Sequence, residues 1–143
     1  MPAVTAKSGF EILEHTADVG IRGWGPDRNS LFAAMASGLF AIITDPECVH
    51  PTMERRIHLE ADSLADLLHD WLEELNTLHQ IHGELYAEFR PRVREGSLEA
   101  VIRGEPIDPG RHDLRLEVKA VTWHGLKLER TDDGHEAGVL LDI

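Results

Sequence analysis

Ala17, Val19 and Ile21 alternate with Asp18, Gly20 and Arg22, the two-residue period of a strand with one buried face. The alternation predicts a first strand over residues 10–24, ended by Gly23-Trp24-Gly25-Pro26. The period then changes. Leu31, Phe32, Met35, Leu39, Ile42 and Ile43 fall on one broad helical face. Residues 30–43 are therefore expected to be a helix capped by Asn29 or Asp27. Gly38 inside it costs helix stability unless something packs closely there. Thr44-Asp45-Pro46 closes that helix, and residues 49–60 are patterned weakly as a strand through Ile57 and Leu59. The second helix is the clearest element. Ser63 and Asp66 resemble a capping box. Leu64, Leu67, Leu68, Trp71, Leu72 and Leu75 then recur at helical spacing, and Gly83 is a natural stop.

The remainder reads as β. Leu85, Ala87, Phe89 and Val93 alternate with Tyr86, Glu88, Arg90 and Arg92. A strand follows over 97–103, a turn over 106–110, and a strand over 113–123. Residues 126–130 and 137–142 flank Asp132-Asp133-Gly134, a hairpin signal. The expected fold is α+β: a single domain over residues 1–143, with one largely antiparallel β-sheet and two long helices packed on one face. Residues 1–9 are expected to be a loose N-terminal segment.

Charge narrows the function. The chain carries 26 acidic and 14 basic residues, a net charge of −12. Proteins that grip nucleic acid alone neutralise phosphates with Lys and Arg. No autonomous nucleic-acid binding is expected, although Arg90, Arg92 and Arg94 make a local basic run. An acidic chain suits cations, or the basic surface of another protein. No apolar run approaches the length that spans a bilayer, and the first residues do not read as a signal peptide. A single cysteine, Cys48, makes no internal disulfide. A cytoplasmic protein without membrane attachment is the expectation.

The candidate chemistry lies at the two ends. Glu14-His15-Thr16-Ala17-Asp18-Val19-Gly20 opens the chain, and Val139-Leu140-Leu141-Asp142-Ile143 closes it. If these strands lie side by side, Asp18, Asp142 and the carboxylate of Ile143 meet as hard oxygen ligands of the kind that hold calcium or magnesium. Carboxylates alone do not decide between those two. A carboxylate pair needs a counter-charge, which a cation or Lys119 would supply. The ordinary reading of Lys119 is a surface lysine paired with Glu117. His15 reads as a core histidine, and His124 as a capping or partner-contact residue. His79 and His82 read as a helix end, where a cationic His suits the dipole. Cys48 has no His partner and reads as inert. There is no glycine-rich phosphate loop, nucleophile elbow or zinc spacing.

Five segments taken in order resemble the archease family: His15-Thr16-Ala17-Asp18-Val19-Gly20; Gly38-Leu39-Phe40 running to Thr44-Asp45; Asp70-Trp71-Leu72-Glu73-Glu74-Leu75; Val118-Lys119-Ala120-Val121-Thr122-Trp123-His124-Gly125; and Leu141-Asp142-Ile143. The resemblance implies a small acidic protein that assists the RtcB-type RNA ligase, without catalysing a reaction itself. That ligase joins 3′-phosphate and 5′-hydroxyl RNA ends in tRNA splicing and RNA repair, using GTP and manganese. The resemblance further implies promotion of ligase guanylylation and of multiple turnover. It assigns Asp18, Asp142 and Ile143 to a divalent-metal site, with calcium the first expectation and magnesium or manganese the alternatives. It ties Lys119 to activating the ligase. The chain departs from the family pattern between Pro26 and Ser30 and just beyond, where Arg28, Ala33 and Ala34 replace acidic residues; this bears on helix capping. Two other readings remain: a small metal-dependent hydrolase or phosphotransferase, and a chaperone-like modulator of another RNA-modifying enzyme.

Overall fold

The computed structural model describes residues 7–14 and 18–143. Expectations for residues 1–6 and for His15, Thr16 and Ala17 lie outside the described residues.

The alternation read as one strand is two: β1 (Gly9–Glu14) and β2 (Asp18–Gly25), paired antiparallel with Glu14 opposite Val19. No Gly or Pro between Glu14 and Asp18 announces the reversal. Gly9 thus belongs to a strand, not to a loose segment. A helix α1 (Arg28–Ile43) follows, and Asp27 caps it in a reciprocal box with Ser30. After a short 3-10 turn at Pro46–Cys48 come β3 (Met53–Glu60) and α2 (Leu64–His82). Ser63 caps α2, and Gly83 ends it in the left-handed conformation that glycine adopts without penalty. The chain then runs through β4 (Glu84–Arg94), β5 (Ser97–Pro106), β6 (Ala120–Val121), β7 (Lys127–Thr131) and β8 (Gly134–Asp142).

The class is α+β with antiparallel pairing throughout, divided into two sheets. In one, β8 pairs with β2, which pairs with β1, while β6 and β7 pair with the other edge of β8. The other has the order β3-β5-β4. The helix α1 is buried far beyond one face, from Leu31 and Phe32 through Ala36 and Gly38 to Ile43, as befits a helix inside the core. An added Cβ at Gly38 would lie 2.8 Å from Ile21 Cγ2 and 3.2 Å from Phe10 Cδ1. The absent side chain lets α1 settle onto the β1–β2 hairpin. The helix α2 buries Leu67, Leu68, Trp71, Leu72 and Leu75, and its Trp71 indole donates to the Phe32 carbonyl of α1 at 2.9 Å.

Two expected patterns fail for physical reasons. The register of β4 shifts between Tyr86 and Glu88, so Leu85 and Tyr86 are both buried; a bulge breaks strict alternation. Of the strand expected over 113–123, only Ala120–Val121 forms. Side chains from the helical layer hold main-chain carbonyls of the preceding residues: Thr44 Oγ1 donates to Asp113 and Asn76 Nδ2 to Val118, each at 2.8 Å.

Candidate functional site

Val19, Ile21, Val139 and Leu141 point into the core. Strand alternation therefore turns Asp18 and Asp142 to the opposite, outer face of the sheet. They are direct register partners across β2 and β8, and such partners hold their Cβ atoms about 4.5–5.5 Å apart. Asp142 is exposed and Asp18 half-buried. The two carboxylates from opposite ends of the chain are thus brought together. Ile143 follows Asp142 and packs partly against the core.

Lys119 reaches the same end of the sheet. Its main-chain N–H donates to the Asp142 carbonyl at 2.7 Å, while Ala120 is the register partner of Asp142. Two successive residues meet one, the arrangement of a bulge, which re-aims a side chain. The Lys119 side chain is exposed and, among the described residues, forms no ion pair with Glu117, Asp18 or Asp142. Like charges directly opposite one another destabilise a sheet, so a cation bound at the aspartate pair would relieve that repulsion.

Oxygen donors alone suit calcium or magnesium better than zinc. Among the described residues, no three His, Cys, Asp or Glu side chains stand close enough to hold a metal. Any cation held by Asp18 and Asp142 would therefore draw further oxygens from elsewhere, and Ile143, next to Asp142, is the donor the sequence puts forward. From the carboxylate pair the outer face continues into a shallow depression. Gly20 and Gly138 form its floor, with Leu13 and Leu140 toward the aspartates and Arg22 and Lys127 further along.

Other titratable groups have structural work. Glu105 is buried and bound by Arg111, by His112 Nε2 at 3.0 Å and by the His50 N–H at 2.6 Å. The Arg111 guanidinium, foremost, holds its carboxyl down to about 2. The Asp108 N–H donates to His112 Nδ1 at 2.8 Å, which leaves Nε2 as the protonated nitrogen facing Glu105. Arg55 likewise grips Glu84 at 2.5 Å and lowers its carboxyl, while Tyr86 donates to Glu84 at 2.7 Å. Cys48 lies beside Asp45, and desolvation and that carboxylate push its thiol up, away from a reactive thiolate. His79 Nδ1 donates to the Glu84 carbonyl at 2.8 Å, a helix-end role. His124 is exposed, its carbonyl accepting from Thr122 Oγ1 at 3.3 Å. Arg90, Arg92 and Arg94 lie exposed on the outer edge of β4, interleaved with Glu88 and Glu99.

His69 was not singled out by sequence. It is buried, its Nε2 donates to the Val121 carbonyl at 2.8 Å, and its ring stacks on Trp123 with centroids 3.7 Å apart. Trp123 keeps 53% of its surface exposed. No local pattern distinguishes His69 from a surface histidine of an amphipathic helix.

The family described as "Archease protein family (MTH1598/TM1083)" matches residues 10–143. The chain is 42% identical to the archease of Methanopyrus kandleri, covering 94% of this chain and 99% of that one. It is 38% identical to the archease of Pyrococcus furiosus, covering 87% and 91%. Its fold is similar to the solution structure of Methanobacterium thermoautotrophicum protein 1598, with a TM-score of 0.80, 34% identity and coverage of 94% and 99%. A crystal structure from Thermotoga maritima, described as an archease and possible chaperone, matches with a TM-score of 0.61 at 22% identity, and bears on fold alone.

Proposed function

Because this chain belongs to the archease family, we propose that it is a non-enzymatic activator of an RtcB-type RNA ligase, acting through the aspartate pair at the end of its larger sheet. The observation that carries the reading is the pairing of Asp18 with Asp142, with Lys119 joined to Asp142 through the main chain. Asp18 and Asp142 would hold a divalent cation together with a main-chain oxygen of Ile143. A cation so held supplies charge to phosphate oxygens and water, the usual help in nucleotidyl transfer. Lys119 offers an exposed positive charge beside the pair. The outer face, with Leu13, Leu140 and the depression between them, is where the ligase docks. The net charge of −12 favours contact with a basic protein surface over RNA.

The test is multiple-turnover RNA ligation by the RtcB-type ligase of the same organism, with this protein in substoichiometric amount. The ligase is expected to stall alone and to turn over when the protein is present. Asp142→Ala is expected to fold and to lose the activation. A folded Asp142→Ala protein that activates fully overturns the role of the pair.

The net charge of −12 suits the basic surface of other enzymes equally, which leaves a second reading, a chaperone-like modulator of another RNA-modifying enzyme. Unchanged ligase turnover, with a different RNA-modifying enzyme binding the purified protein, would support it.

A further inference from the structure

Lys119 sits on a stretch that the sequence marks as strand and that the fold holds in another way. Asn76 Nδ2 and Gln80 Nε2 both donate to the Val118 carbonyl, each at 2.8 Å. His69 Nε2 donates to the Val121 carbonyl at 2.8 Å, and Glu73 Oε2 accepts from the Val121 N–H at 3.4 Å. Residues 69, 73, 76 and 80 follow the four-three-four spacing that aligns side chains along one stripe of a helix. The stripe grips the residue before Lys119 and the residue two beyond it. Lys119 itself donates its N–H to Asp142. The helix thus takes the place of a neighbouring strand.

Holding the segment this way has a cost. Asn76 is 2% exposed and, among the described residues, its Oδ1 has no partner, and a buried polar atom left unsatisfied destabilises a fold. An apolar side chain there would extend the face of Leu68, Leu72 and Leu75 without that penalty. A buried amide is therefore not what packing alone would choose.

We propose that the stripe His69, Glu73, Asn76 and Gln80 is a positioning device that sets Lys119 against Asp142. These are positioning residues; they act on the activator site only through Lys119. The functional part of this inference rests on the activator reading, whereas the positioning itself does not.

Two measurements test it. In Asn76→Leu/Gln80→Met, amide hydrogen exchange at Lys119 is expected to speed up about tenfold or more, with the β5 amides unchanged, as for a local opening. Gln80→Met alone, altering an exposed position, should show a smaller change in the same direction if the double variant folds poorly. Gln80→Arg retains a donor and should restore protection. In ligation, the double variant should lose about as much activation as Lys119→Ala, and combining them should add less than about twofold, the non-additivity of groups acting through one another. Unchanged Lys119 exchange in folded variants overturns the proposal, as do fully additive losses. Wild-type protein that fails to activate the ligase overturns the activator reading only, and the exchange result still decides the positioning.

Discussion

At the scale of single residues, charge is stored where the fold can hold it. Glu105 is ionised at about 2 instead of the ordinary 4.5, foremost because of Arg111, and Glu84 is lowered in the same direction by Arg55. A depressed carboxyl contributes stability that is fully present above its unfolded value and is lost as pH falls toward its folded value. Thermal melts should therefore be flat from pH 7 to about 5 and fall steeply between 4.5 and about 2. Glu105→Gln should melt several degrees lower at pH 7, with the gap to wild type closing toward pH 2. A constant gap across that range would contradict the assignment. Gly38 makes the opposite case, a residue valuable for what it lacks. Gly38→Val should destabilise by about 1–3 kcal/mol through overpacking, because its Cβ meets Ile21 and Phe10; urea unfolding measures it. Gly38 was legible in the sequence, since a glycine inside an apolar helix demands a close neighbour. Glu105 was not, because Arg111, His112 and the His50 amide reach it only after tertiary folding.

At the scale of elements, legibility followed how local the cause was. Caps are local. The sequence offers Asn29 or Asp27 for the first helix and Ser63 for the second; Asp27 and Ser63 are the caps, accepting from the backbone N–H of Ser30 at 2.8 Å and of Asp66 at 3.1 Å. Ser63→Ala and Asp27→Ala should each cost about 1 kcal/mol in urea unfolding without altering the fold. The first turn of α1 carries no acidic residue, and the reciprocal Asp27–Ser30 box does the capping alone. The elements misread had distant causes. The β1–β2 reversal carries no turn residue, so its alternation ran on as one strand. The bulge in β4 buries Tyr86 beside Leu85, which no two-residue period foresees. Residues 113–119 have strand alternation, but their partner is a helix whose polar stripe lies within an otherwise apolar pattern. A sequence reading that asks only which positions are apolar passes over His69, Asn76 and Gln80.

At the scale of the molecule, the candidate site exists only when the chain closes on itself. Asp18 and Asp142 are brought opposite each other by eight register pairs between β2 and β8, so the fold works against their mutual repulsion. Their residue types were legible, and so was their meeting, given two apolar end strands. What the sequence left unread was how Lys119 is fixed there. The repulsion has a measurable consequence. Without divalent ions, Asp142→Asn relieves it and should melt at or above the wild-type temperature. A ligand that binds only the folded state adds stability by mass action, about 2.7 kcal/mol at a hundredfold excess over its Kd. Calcium should therefore raise the wild-type melting temperature, and chelator should reverse the rise, while Asp142→Asn stays where it was. Magnesium at equal concentration compares the two ions at the same pair. If calcium, magnesium and manganese all leave the wild-type melt unmoved, the pair holds no cation of its own. Activation of the ligase would then have to rest on the bare carboxylates and Lys119.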